Sequence, residues 1–216
     1  VEILKDAIAN HPTLQSIHLE GFIIYAMDHP DIQPLLEPLL ASALTVSKLK
    51  SLNLTCYASY KRWDRAFCNS DVLRSLCQMK SLERLSLSGI GLQDQHFFTI
   101  AKELQGSGIR ELVLNNNKNS DSGARAIVEL LETNTCIERL ETQNHTRLTE
   151  ATCEYIAQQL ERNYEIKHFS GNIHHEYRTK IDFFLLLNRV GRKSVLNANP
   201  EKFVDILSAV DDNVSV

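Results

Sequence analysis

Six times along the 216 residues, apolar side chains recur with the spacing L-x-x-L-x-L. The clearest copy lies in IRELVLNNN, residues 109 to 117, where Ile109, Leu112 and Leu114 are followed by Asn117. Upstream copies are Leu14, Ile17 and Leu19; Leu49, Leu52 and Leu54; and Leu82, Leu85 and Leu87. Downstream, Ile137 and Leu140 carry Thr142 in the third place, and Ile166 and Phe169 carry Gly171. The first positions, 14, 49, 82, 109, 137 and 166, are separated by 35, 33, 27, 28 and 29 residues. Apolar positions two residues apart point to one face of a strand. Recurrence at such a period marks one structural unit stacked on the next, and it constrains the fold more than any other feature of the chain.

A second pattern does not depend on the first. Each expected strand is preceded by an apolar pair four residues apart: Leu4 and Ile8, Leu39 and Ala43, Val72 and Leu76, Ile100 and Leu104, Ile127 and Leu131, Ile156 and Leu160. Such pairs share a helix face. Strand, turn, helix and turn therefore repeat as a unit. The turns carry fitting chemistry: NKNSDSG at 117 to 123 and TRLTEA at 146 to 151 offer helix N-caps. GSG at 106 to 108 offers a left-handed glycine cap between helix and strand.

These residues resemble a leucine-rich repeat protein, and the 27-to-29-residue steps with helices are similar to the ribonuclease-inhibitor-like subclass. The resemblance covers residues 1 to 175, an array of about six units, and leaves 176 to 216 as a helical C-terminal cap. It implies an α/β solenoid with a curved parallel sheet on the concave side and helices on the convex side. In that family the ninth-position Asn bonds neighbouring backbone. Here it is present only as Asn117, with Phe22, Tyr57, Ile90, His145 and His174 in its place elsewhere.

One unit cannot bury its apolar side alone, so neighbours share a continuous core. With the leucines inward, the alternate positions face the concave side. They are Ser16, His18 and Glu20; Ser51, Asn53 and Thr55; Arg84, Ser86 and Ser88; Glu111, Val113 and Asn115; Arg139, Glu141 and Gln143; His168, Ser170 and Asn172. This face is small, polar and mixed in charge, and two readings stand: a modest docking surface or a solvated one. His18, Asn53, Arg84, Glu111, Arg139 and Glu141 are its candidate partner-binding residues. Lys50, Glu83, Arg110, Glu138 and Lys167 alternate in sign at the successive second positions.

The extra length of the second unit includes CYASYKRWDRAF, residues 56 to 67. Trp, Tyr and Arg concentrate at interface hot spots, and insertions in rigid repeats commonly carry function. Tyr60, Arg62 and Trp63 are its candidate binding residues, while Tyr57 and Phe67 suit packing over the N-terminal end. After His174 the repeat breaks. Residues 177 to 196 read as an apolar helix ending near Gly191, and NPEKFVDILSAV reads as a second helix. Phe183, Leu186, Leu187 and Val190 are expected to cover the last rung. LLLNRVGRK also resembles the Leu-Asn-Arg-x-Gly-Arg tail of leucine-rich repeat proteins of diatoms and related algae, which implies lineage more than activity. Arg189 and Arg192 suit bonding to the final turn's carbonyls or, in the alternative, to a partner's carboxylates.

Lys and Arg number 23 against 27 Asp and Glu, a net charge of -4, which disfavours nucleic acid as a partner. No apolar run approaches the ~20 residues of a membrane-spanning helix, so no membrane insertion is expected. The chain opens at Val1 without a basic-then-apolar leader. Five cysteines without Cys-x-x-Cys spacing, Cys56, Cys68, Cys77, Cys136 and Cys153, read as reduced, buried thiols. A reducing compartment is expected: cytoplasm, nucleus or plastid stroma. His168, His174, His175 and Glu176 match no H-E-x-x-H arrangement, and neither a nucleophile elbow nor a phosphate loop is present. The expectation is a chain without catalytic residues, metal or cofactor. The expected role is a scaffold or structural subunit that binds another protein or a multi-protein complex or, in the alternative, a regulator of an enzyme; a metal-dependent enzyme using His168, His174 and His175 is the third reading.

Overall fold

The computed structural model describes residues 6–8, 10–11, 13–20, 42–46, 48–55, 70–143 and 148–193. All six expected strands form: β1 (Ser16–Glu20), β2 (Ser51–Thr55), β3 (Arg84–Ser88), β4 (Glu111–Val113), β5 (Arg139–Thr142) and β6 (His168–Gly171). They make one parallel sheet in sequence order. Parallel neighbours need a crossover, and from β2 to β6 helices supply it: α1 (Ser70–Cys77), α2 (Asp94–Glu103), α3 (Asp121–Thr133) and α4 (Glu150–Arg162). A fifth helix, α5 (His175–Arg189), follows β6. The chain is a leucine-rich-repeat solenoid.

The register repeats the sequence motif residue for residue. Leu52 lies opposite Leu85, Leu85 opposite Leu112, and Leu112 opposite Leu140. These leucines, with Leu54, Leu87 and Leu114, are at most 1% exposed. The helical faces close the same core through Leu76, Ile100, Leu104, Ile127, Ile156 and Leu160. Ser120 caps α3, its hydroxyl accepting the Ser122 N–H at 3.2 Å. Gly106 takes the left-handed conformation expected of it, with φ 73°.

Asn117 is buried and bonds on both sides. Its Nδ2 donates to Leu87 O (2.7 Å) and Leu114 O (2.9 Å), and its Oδ1 accepts from the N–H groups of Ile90 (3.2 Å) and Leu92 (3.1 Å). At the opposite edge a second asparagine series forms. Asn134 Nδ2 donates to Leu104 O while its Oδ1 accepts from Cys136 and Ile137. Asn163 does the same one unit on, with Leu131 O, Glu165 and Ile166. Asn188 extends the series from α5, donating to Asn163 O (2.9 Å) and Ile166 O (2.8 Å). Helix α5 therefore occupies the place of a further repeat along this edge.

Three expectations are corrected. Helix α5 packs through Ile181, Phe184, Leu185 and Asn188, whereas Phe183 is 48% exposed and Leu186, Leu187 and Val190 are only half-buried. The run is apolar all round, so the bonds made by Asn188 set which face turns inward. Both arginines bond final-turn carbonyls as expected: Arg189 donates to Leu185 O in the last turn of its own helix at 3.3 Å, and Arg192 to Glu161 O in the last turn of α4 at 2.8 Å. Cys77 and Cys153 are buried, but Cys136 is exposed, because its N–H is tied to Asn134 and its side chain points out of the turn. Ser88 is buried, closed over where Gly89 turns at φ 67° and donates to Asn115 O. The second helix expected in the tail and the insertion at 56–67 lie outside the described residues.

Candidate interaction surface

The concave side holds a hollow of 510 Å³ across β2 to β5. Its floor is small and polar: Ser51, Asn53, Ser86 and Ser88. Larger side chains rise from its C-terminal half, namely Arg84, Glu111, Val113, Arg139 and Glu141. Five of the residues singled out from the sequence thus come together here: Asn53, Arg84, Glu111, Arg139 and Glu141. His18 stands one strand outside, joined to the hollow through Asn53 (Nε2 to Nδ2, 3.0 Å). Tyr60, Arg62 and Trp63 lie outside the described residues, as does the rest of their insertion.

Most charges on this face are already answered. Glu141, with a side chain only 15% exposed, accepts from Arg139 Nε at 2.7 Å and from Asn115 Nδ2 at 2.7 Å. His168 stands 3.5 Å from the same carboxylate. Burial lowers the His168 pKa, and the Arg139 charge lowers it further, while Glu141 opposes both. At the other end, His18 Nε2 lies 3.0 Å from Glu20. One ring nitrogen either accepts from Asn53 or donates to Glu20, so its tautomer chooses between them. The alternating second positions form a zipper along the rim. Lys50 pairs with Glu83 at 3.1 Å, and Glu138 pairs with both Arg110 (3.5 Å) and Lys167 (2.9 Å).

Two charges are left over. Arg84 and Glu111 are register partners on β3 and β4. Arg84 is exposed and Glu111 is half-buried. Among the described residues, neither side chain makes a hydrogen bond or ion pair. They offer a guanidinium and a carboxylate side by side above a floor of hydroxyls. The asparagines that shape the neighbouring turns were not singled out from the sequence as structural, although Asn134-x-x-Ile137 and Asn163-x-x-Ile166 repeat visibly.

No group of three or more His, Cys, Asp or Glu among the described residues could hold a metal ion. His174 is turned to Leu148 O at 3.0 Å. No described helix is long and apolar enough to cross a membrane.

The sequence matches no known protein family, and no curated protein matches it. Solved structures do. The structure of leiomodin-1 actin-binding site 2 superposes with a TM-score of 0.55 at 16% identity, over 89% of this chain and 90% of that one. The C-terminal domain of tropomodulin from Caenorhabditis elegans superposes with a TM-score of 0.53 at 9% identity, over 87% and 92%. This chain shares their fold. At these identities the likeness concerns architecture alone.

Proposed function

We propose that the chain is a non-catalytic protein-interaction module, a scaffold or structural subunit of a larger assembly. It would bind through the concave face together with the aromatic insertion at 56–67. The observation that carries this reading is the hollow itself. Its interior strands are paired on both sides, so its charged side chains stand on a rigid sheet, which lowers the ordering cost of binding. The similarity of fold to the leiomodin-1 actin-binding site 2 supports the same reading. The sequence-based affinities to ribonuclease-inhibitor-like and algal repeat proteins, and a reducing intracellular setting, belong to the proposal.

Cross-linking mass spectrometry after mild native extraction tests it. Cross-links from Lys50, Lys61 or Lys167 to another polypeptide are the expected result. Actin is the first defined probe, because the leiomodin-1 structure is described as an actin-binding site. A free monomer of 24.5 kDa that cross-links to nothing would overturn the assembly-subunit reading and direct attention to enzyme-inhibition assays.

A further inference from the structure

We propose that the hollow receives an amphipathic helix of a partner protein, laid across the strands. One acidic side chain of that helix would meet Arg84, and one basic side chain a turn away would meet Glu111. The proposal rests on the interaction-module reading and adds the occupant's shape and charge.

Charge comes first. Along the concave face Arg139 is held by Glu141, and His18 is placed between Asn53 and Glu20. The rim charges are zipped to one another. Arg84 and Glu111 are register partners of opposite sign, yet they form no ion pair with each other. A ligand that satisfies both must present the complementary pair.

Shape follows from backbone geometry. Strands β2 to β5 each have a neighbour on both sides, so a partner strand cannot add to them by main-chain pairing. Recognition in the hollow must run through side chains. Adjacent strands lie about 4.8 Å apart. On a helix, residues three apart share a face and are displaced about 4.5 Å along the axis. On an extended chain, same-face residues are about 6.7 Å apart. The helix matches the spacing of Arg84 and Glu111, and the extended chain does not. The five-residue strands β2 and β3 are about 17 Å long, enough to seat a helix about 10–12 Å across, and the three residues of β4 span about 10 Å of the same width. The small floor residues leave that space open, and Val113 offers an apolar contact beside Glu111.

Synthetic helical peptides on one alanine-glutamine host, titrated into the isotopically labelled protein and followed by NMR, test the proposal. The peptides carry Glu-x-x-Lys, its spacing isomer Glu-x-Lys, or Lys-x-x-Lys. Glu-x-x-Lys should bind about fivefold tighter than Glu-x-Lys, as two partly exposed ion pairs allow, and should shift the amides of Arg84, Glu111 and Val113. In Arg84→Glu the preference should move to Lys-x-x-Lys; circular dichroism checks that this surface variant is folded. Equal affinity for the two isomers, an unchanged preference in Arg84→Glu, shifts outside the hollow, or no binding would each overturn the proposal. A native partner cross-linked elsewhere on the chain, alongside any of those results, would leave the interaction-module reading standing.

Discussion

Asp94 accepts both the backbone N–H of Ser120, at 2.7 Å, and its hydroxyl, at 2.6 Å, so the start of one helix holds the start of the next. One unit on, Asp121 does the same for Thr149, accepting its N–H at 3.2 Å and its hydroxyl, and also the Thr152 hydroxyl at 2.8 Å. Acid at the first turn of each helix favours the macrodipole. It also ties neighbouring units together on the side away from the asparagine series.

Gly123 makes room for the first of these ties. A Cβ added there would lie 2.6 Å from Asp94 Oδ1 and 2.9 Å from the Asn119 Cβ. Gly123→Ala should gain helix propensity and still lose stability, by about 1–3 kcal/mol as for other overpacked sites. Urea denaturation checks this. A variant as stable as the parent would show that Asp94 can move aside without cost.

Asp121 gives stability a pH dependence. Burial pushes its pKa up, but the hydrogen bonds from Thr149 and Thr152 and the Arg125 charge outweigh that and hold it below the ordinary value. The folded state therefore binds this proton less readily than the unfolded chain. The associated stability is complete above the unfolded pKa of about 3.9 and is lost as the pH falls through the folded value. Asp121→Asn should be less stable than the parent at pH 7, and the gap should close toward pH 2. Denaturation midpoints across that range decide it; a gap independent of pH would exclude the carboxylate's charge as the cause.

The strand register was legible because two periods agree: alternation within a strand, and a unit length shared by Leu82, Ile109, Ile137 and Ile166. Helix α5 was legible as a helix but not in its orientation. In FFLLL every face is apolar, so periodicity cannot choose between the faces of Phe183 and Phe184. A polar residue chose: Asn188 seeks the carbonyls of Asn163 and Ile166 and turns Ile181, Phe184 and Leu185 inward with it. The hollow's candidates were legible as alternate positions on strands. That Arg84 and Glu111 stay unpaired while Arg139 does not was beyond reach, because Arg139 is satisfied within its own strand by Glu141, two residues on.

The asparagine series should dominate the stability of the C-terminal half. Asn163→Ala removes the donor to Leu131 O and the acceptor for Glu165 and Ile166. Each buried group left unsatisfied costs roughly 1–3 kcal/mol. At Asn188 the Nδ2 serves two carbonyls, while the Oδ1 has no partner among the described residues. Asn188→Asp should therefore be worse than Asn188→Ala, since a carboxylate would face two carbonyl oxygens. Thermal and urea unfolding of the three variants measure the order. If aspartate were tolerated as well as alanine, the donor role of Asn188 would be refuted.

His168 reports on the charge balance at the C-terminal end of the concave face. Its pKa is lowered by burial and then by the Arg139 and Arg189 charges, against the pull of Glu141. A histidine depressed in the folded state stays neutral while its unfolded counterpart takes a proton. Its contribution to stability is therefore present above about pH 6.5 and declines as the pH falls below that. Glu141→Gln removes the one opposing charge and should depress the His168 midpoint further. Arg139→Ala removes a repulsion and should raise it. Imidazole proton shifts followed by NMR titration separate the two. Unchanged midpoints in both variants would mean that burial alone, and not the Arg139–Glu141 pair, governs the ring.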